Sequence, residues 1–283
     1  MTDAPRTRRR GAILVEALRL SLLALGALVM LAPFAWMISV SLKPPEEIFG
    51  AGLNLIPSTL AFENYVRAWT AVPMWRFLLN GVIVCTAILL IQILFAVPAA
   101  YALARLEFPG RGLIFVMVLL CLLVPSHVPA IPLYLALSSA GLLNTYAALV
   151  LPSAISVFAI FLLRQFFRSL PEDLINAARV DGLSEWSIVW RIALPAAWPA
   201  VTAFGIFSVV AHWNDLFWPL IVVTDTSMAT PPLGILFFRD EEAGSDYGAL
   251  MAGATIVTAP LIIAFLLAQR RFVEGMTMSG IKG

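Results

Sequence analysis

The sequence is poor in charge. Only 12% of its 283 residues are Asp, Glu, Lys or Arg, and the formal net charge is +1. That net charge by itself says nothing about partners, and no nucleic-acid partner is expected. Cysteine is almost missing. Cys85 and Cys121 both lie inside apolar runs, which suits small buried hydrophobes better than a disulfide or a metal site. Two histidines without a Cys/His cluster argue against zinc. There is no GxxxxGK[ST] phosphate loop, so the chain is not expected to bind ATP itself, and no HExxH metal motif. No low-complexity segment and no internal repeat stand out.

Apolar residues are what the chain has in excess. They make up 61% of it, against about half in a soluble domain, and the mean hydropathy is +0.92. Runs of about 20 apolar residues recur, the length a helix needs to cross a bilayer. Six spans are predicted: Leu20–Val40, Phe77–Leu103, Leu113–Leu137, Tyr146–Leu163, Ala200–Val223 and Ala249–Ala268. "RTRRR" precedes the first, as in a signal peptide. The apolar stretch is too long for one and no small-residue cleavage site follows, so it is expected to be retained. The predicted fold class is therefore all-α: a polytopic membrane protein with six transmembrane helices. Its parts are an N-terminal tail over 1–19, a membrane domain over 20–270 and a C-terminal tail over 271–283.

Lys and Arg set the orientation. Arg6, Arg8, Arg9 and Arg10 precede the first span, Arg105 and Arg111 follow the second, and Arg164, Arg168, Arg179 and Arg191 follow the fourth. Arg270, Arg271 and Lys282 follow the sixth. The alternate connections carry only Lys43, Arg67, Arg76 and Arg239. Both termini are expected in the cytoplasm, with "RDEEAGSD" (Arg239–Asp246) outside.

The longest cytoplasmic connection holds "SLPEDLINAARVDG", a short polar helix about residues 170–182. Ser169 with Glu172 fits a capping box, and Pro171 is tolerated in the first turn. Glu172 and Asp173 suit the positive end of the helix dipole. Gly182 suits the left-handed position past its end. Leu170, Leu174, Ala177, Ala178 and Asp181 share a face by spacing, and the small Ala177 and Ala178 would let another protein approach closely. "SEWSIVWRIALP" follows, with Ser184 as a cap and Trp186, Val189, Trp190 and Ala193 on one side. That pattern suits a helix at the membrane interface, broken at Pro195.

These residues carry a resemblance. "NAARVDGLSEWSIVWRIALP" resembles the cytoplasmic EAA signature of ABC importer permeases, which runs EAA, a glycine, then I-x-LP. Four more stretches agree in order: "AAYALARLEFPGRG" (Ala99–Gly112), "LRQFFRSLPEDL" (Leu163–Leu174), "HWNDLFWPLIV" (His212–Val222) and "RRFVEGMTMSGIKG" (Arg270–Gly283). The chain looks like the smaller six-span permease of the carbohydrate-uptake branch, similar to the maltose and glycerol-phosphate importer permeases.

The resemblance implies sugar import across a bacterial inner membrane. It also implies a second homologous permease, an ABC ATPase dimer carrying ATP and Mg, and an extracytoplasmic solute-binding protein. The short helix becomes a coupling helix docked on the ATPase, with Glu172, Asp173, Leu174, Asn176, Ala177, Ala178, Asp181 and Gly182 as its residues. One position departs: the family's usual Glu is Asn176 here. A charge-assisted contact becomes a weaker neutral hydrogen bond at that point, with Glu172 and Asp173 the nearest carboxylates.

Polar groups within apolar segments cost about 2.5–3.5 kcal/mol each when charged at mid-span. The fifth span contains His212, Trp213, Asn214 and Asp215. His212 and Asp215 are three apart and can share a face. One reading makes them pathway groups that bond sugar hydroxyls, with aromatic neighbours stacking on the ring; the other makes them a network joining helices. "VPSHVPAIP" breaks the third span, so its freed carbonyls must face protein or a water-filled cavity. His127 there lines the pathway or merely packs at the kink. Asn80, Gln92 and Asn144 fit bridges between helices.

Two rival functions are set against a non-enzymatic import subunit. An ion-coupled secondary transporter would use His212 and Asp215 as a proton relay, but that class shows internal repeats and leaves the capped cytoplasmic helix without a role. An intramembrane enzyme has only "GLSEW" to offer, with no histidine near it in sequence.

Overall fold

The computed structural model describes residues 4–50, 54–125, 127–238 and 246–277, with side chains between 15 and 267. Arg6, Arg8, Arg9, Arg10, Arg239, Arg270, Arg271 and Lys282 carry no described side chain, so that part of the orientation argument lies outside the described residues. The main helices are α1 (Ala4–Ser41), α2 (Glu63–Thr70), α3 (Met74–Arg105), α4 (Arg111–Leu123), α5 (Ala130–Ser139), α6 (Val157–Ser169), α7 (Glu172–Val180), α8 (Trp198–Trp213) and α9 (Tyr247–Thr277). Short helical turns fill most of the rest, and the described residues contain no strand.

Three stretches are long and apolar enough to cross a membrane: Val15–Ser41, Met74–Arg105 and Tyr247–Leu267. Leu22, Leu23, Val29 and Met30 on α1 are exposed, as a helix bathed in lipid would be. Two further stretches are bent. Tyr146–Ser153 meets α6 at 45°, and Glu185–Ala196 meets α8 at 78°.

Three predicted spans are interrupted. Tyr146–Leu163 is bent between Ser153 and Val157. Leu113–Leu137 is not continuous: α4 stops at Leu123 and α5 starts at Ala130. Pro125 and Pro129 lack the N–H that a helix needs and bias the residues before them to extended backbone. Ala200–Val223 is also broken. α8 ends at Trp213, and a short helix, Phe217–Val222, follows.

The chain divides into two compact units, residues 1–71 with 238–256 and residues 72–237 with 257–283. In the first, a polar knot closes the backbone after α1. Buried Asn64 donates to the carbonyls of Ser41 and Lys43, both at 2.9 Å. Arg67 donates to Asn64 Oδ1 and pairs with Asp246 at 3.0 Å. Lys43 is itself buried, donating to the Asn54 carbonyl and lying over the Trp36 ring.

The second unit is built on α3, whose 32 residues reach about 48 Å at 1.5 Å each. Its C-terminal half enters a core with α6, α7 and α8: Val97, Ala100, Tyr101, Leu163, Phe167, Ile175, Ala178, Ile188 and Phe204. Asn80 on α3 donates to the carbonyls of Ser227 and Ala229, and Tyr146 donates to Asn80 Oδ1. Asn144 adopts a left-handed φ of 56°, and its Oδ1 accepts from the N–H groups of Thr224 and Asp225. These amides bind the 224–230 segment to the helices, so bridging is their role here.

Candidate functional site

Two places gather the residues singled out in the sequence. The first is α7. Its start differs from the expectation. Ser169 does not cap it; Ser169 ends α6, and its hydroxyl donates back to the Phe166 carbonyl. Pro171 forces Leu170 into extended backbone and itself occupies the cap position without a side-chain bond. Glu172 therefore stands at the first helical position, not the third that a capping box needs. Glu172 and Asp173 do occupy the first turn.

The end of α7 follows the sequence closely. Gly182 has φ +80°. Its N–H donates to the Arg179 carbonyl at 3.0 Å, and the Leu183 N–H donates to the Ala178 carbonyl at 3.1 Å. That pair of bonds is a Schellman motif.

The two faces of α7 are unlike. Ile175 and Ala178 are buried in the core with Tyr101, Phe167 and Ile188. Burying an isoleucine side chain stabilises by about 1.5–3 kcal/mol, enough to seat a nine-residue helix that would be marginal alone. Glu172, Asp173, Leu174, Asn176, Ala177, Asp181 and Gly182 are exposed. So Ala178 faces its own chain while Ala177 faces outward. Val180, 87% exposed, joins the outer face; its signal in the sequence was an apolar residue amid polar ones.

Charged groups brace this helix. Arg105, at the end of α3, donates to the carbonyls of Phe167, Arg168 and Leu170 and lies 3.9 Å from Glu172. Arg179 donates to Glu185 at 2.7 Å and to Asn176 Oδ1 at 3.3 Å, and Tyr101 donates to the other Glu185 oxygen at 2.9 Å. A polar groove of about 400 Å³ runs alongside, lined by Arg105, Glu107, Glu172, Asn176 and Arg179.

The Arg179 hydrogen bond holds the Glu185 carboxyl below the usual glutamate range, and the Tyr101 bond adds to it. A depressed carboxylate contributes stability above its unfolded value and loses it as pH falls through the folded one. Hydrogen exchange across 177–183 should therefore stay slow through the normal glutamate range and quicken only below it. In Glu185→Gln that pH step should vanish; a step that persists would assign it to another group.

The segment after Gly182 presents unlike sides. Ser184 caps it through the Ser187 N–H. Ile188, Val189 and Ala193 are buried, whereas Trp186 is exposed and meets Trp190 edge-to-face at 5.7 Å. The expected single side of Trp186, Val189, Trp190 and Ala193 is thus divided. A π-helical turn over Val189–Ala193 rotates the register.

The second place is a cavity of about 700 Å³. His127 from the α4–α5 break and His212 and Asp215 from the end of α8 line it with Gln92, Ser153, Ser156, Phe158, Phe217 and Trp218. The α4–α5 segment supplies part of its wall, with exposed Cys121 and not the buried thiol expected there. Asp215 Oδ1 accepts from the Trp218 N–H at 3.3 Å, and His127 stands edge-on to Phe217 at 4.3 Å. Trp213 is elsewhere: it is buried, and its indole donates to the Val257 carbonyl. Asn214 donates back to Val210. Trp213 follows His212 on the same helix and so points about 100° away from it, and neither Trp213 nor Asn214 lines the cavity. The sequence reading left out Ser153, Ser156, Phe158 and Trp218, because nothing in an apolar run marks which residues meet across helices.

Fold and sites together define an integral membrane component of all-helical build, with a polar helix on the core and a polar-aromatic cavity among its broken spans. Residues 92–278 match the family described as binding-protein-dependent transport system inner membrane component. The chain belongs to that family. It is 34% identical to an arabinooligosaccharides transport system permease protein of Halalkalibacterium halodurans, covering 91% of this chain and 93% of that one. It is 31% identical to the sn-glycerol-3-phosphate transport system permease protein of Escherichia coli, covering 92% and 95%. Among solved structures, a bacterial ABC transporter involved in the import of the acidic polysaccharide alginate superposes with a TM-score of 0.80. That likeness covers 96% of this chain and 100% of that one at 24% identity, and is a likeness of fold.

Proposed function

We propose that the chain is a permease subunit of an ATP-driven importer for a sugar or sugar-like solute. Six crossings are formed by α1, α3, the broken α4–α5, the bent Tyr146–Ser169 segment, α8 with Phe217–Val222, and α9. Both termini lie in the cytoplasm. A second homologous permease completes the pathway, a solute-binding protein docks on the outer loops 41–76 and 224–248, and a separate ATPase dimer holds ATP and Mg. α7 carries ATPase closure to the spans. The observation that carries this reading is the two-sided build of α7. Ile175 and Ala178 tie it to the core of α3, α6 and α8, while Leu174, Ala177, Val180 and Asp181 leave a face for a partner. The sugar assignment draws support from the oligosaccharide cargo of the H. halodurans relative and from the aromatic and hydroxyl lining of the cavity. The ion-coupled alternative has no support in the family to which the chain belongs.

The test is gentle purification of the C-terminally tagged chain from its own membrane. Recovery of an ATP-binding subunit and a second permease supports the reading. Recovery of the chain alone, still moving solute without ATP, refutes it. Within the cavity, Asp215→Asn is expected to shift the half-saturation concentration of uptake by about tenfold, the effect of changing one charge-assisted hydrogen bond. Unchanged affinity for every transported solute would make Asp215 a purely structural cap of the Phe217–Val222 helix.

A further inference from the structure

The polar contacts in the cavity wall bear on a protonation state. Gln92 is 4% exposed and Ser208 5%, so their hydrogen bonds are made within the protein. The Ser153 carbonyl, 2.8 Å from the Gln92 side chain, can only accept. The atom facing it is therefore the amide nitrogen. The amide oxygen accepts from the Ser208 hydroxyl at 2.7 Å. The second amide N–H then points to His212 Nε2 at 3.3 Å. A donor there needs a lone pair opposite, so Nε2 is unprotonated and the ring proton sits on Nδ1. An imidazolium would set two donors face to face.

We propose that Gln92 is a positioning residue that holds His212 as the neutral Nδ1–H tautomer, so that His212 and Asp215 offer the cavity one N–H donor and one carboxylate, a pair suited to an uncharged polyhydroxylated solute. This rests on reading the cavity as the pathway. A sugar hydroxyl both donates and accepts. Neighbouring hydroxyls answer a carboxylate and an N–H at once, and Phe158, Phe217 and Trp218 supply ring faces. An anionic solute meets the opposite case. Asp215 is the only charged residue among the described ones lining the cavity, whereas a carboxylate or phosphate calls for Arg or Lys. Gln92 touches no solute in this scheme. It acts through His212, anchored by α8 through Ser208 and by the Leu151–Ser153 turn through a backbone carbonyl.

The chain has only two histidines, which makes the tautomer directly readable. In the complete importer in native-like membranes, reassembled so that only this chain carries ¹⁵N-histidine, NMR of wild type and His127→Gln isolates the His212 ring. The expected signature is an unprotonated Nε2 and a protonated Nδ1 at neutral pH. Gln92→Leu, and more mildly Ser208→Ala, should admit the Nε2–H form. A wild-type ring protonated at Nε2 overturns the positioning role. A second measurement feeds cells a ¹³C-labelled mixture of neutral and uronic-acid oligosaccharides and reads import by mass spectrometry. Neutral species alone are expected to enter, with half-saturation raised about tenfold in Gln92→Leu, the effect of one misplaced buried hydrogen-bonding group. Entry of uronic-acid species through this importer overturns the solute class. The failure of the pathway reading looks different: the tautomer is as stated, and neither Gln92→Leu nor Asp215→Asn moves uptake.

Discussion

Gly182→Val is expected to lower uptake tenfold or more while leaving insertion of the spans intact. The loss is backbone in origin. Gly182 sits at φ +80° with nothing within 4 Å of where a Cβ would stand, so no clash is involved. A side chain in left-handed backbone costs about 1–2 kcal/mol, and β-branching adds to it. That is enough to open a C-terminal cap on a helix of nine residues. Opening it frees the Ala178 and Arg179 carbonyls, which now accept from Leu183 and Gly182, and lets the last turn unwind. The turn that unwinds carries Ala177, Val180 and Asp181, the outward face proposed to meet the ATPase. Gly182→Asn is the control, because asparagine tolerates this conformation and should keep most activity. The measurement is solute uptake and co-purified ATPase at matched expression. Full uptake by the valine variant would refute a coupling role for α7.

Gly234→Ala is expected to damage the fold itself. Here the limit is space. A Cβ on Gly234 would stand 2.6 Å from Phe77 Cε2 and 2.7 Å from Cγ, separations that real Cβ atoms do not reach. Phe77 is fully buried near the start of α3 and sits 6.1 Å from the Phe237 ring. A ring wedged between two elements cannot swing aside as the end of a lysine would. Overpacking of this kind costs about 1–3 kcal/mol, and more where nothing yields. Folded yield in mild detergent and the thermal midpoint should both fall. Combining Gly234→Ala with Phe77→Leu should recover part of the loss, since neighbours in contact are coupled and not additive. An alanine variant of wild-type stability would show that the Pro231–Ile235 segment can withdraw from α3.

Much of this protein is written in local chemistry. Val15–Ser41, Met74–Arg105 and Tyr247–Leu267 stand out by length and apolarity alone. Gly182 follows from its place after a polar helix, since few residues accept left-handed backbone. The prolines of "VPSHVPAIP" announce a break because a missing N–H is a property of the residue itself. Other features came only with the tertiary structure. Ala177 and Ala178 look equivalent in sequence, yet only packing turned Ala178 inward beside Tyr101 and Phe167. Ser169 had the right spacing for a cap, but Pro171 extended the backbone and handed Ser169 to α6. Trp213 shared the "HWND" string with His212 and Asp215, and the packing of α8 turned its face to Val257 and that of His212 to the cavity. Gln92 gave no hint of Ser208, Ser153 or His212, residues 61 to 120 positions away. The physical reason is common to all of these. In an apolar chain, lipid and protein interior attract the same residues, so hydropathy marks which segments enter the membrane. Which side chains then face one another is decided by helix packing, where breaks and bends rotate faces that sequence spacing treats as fixed.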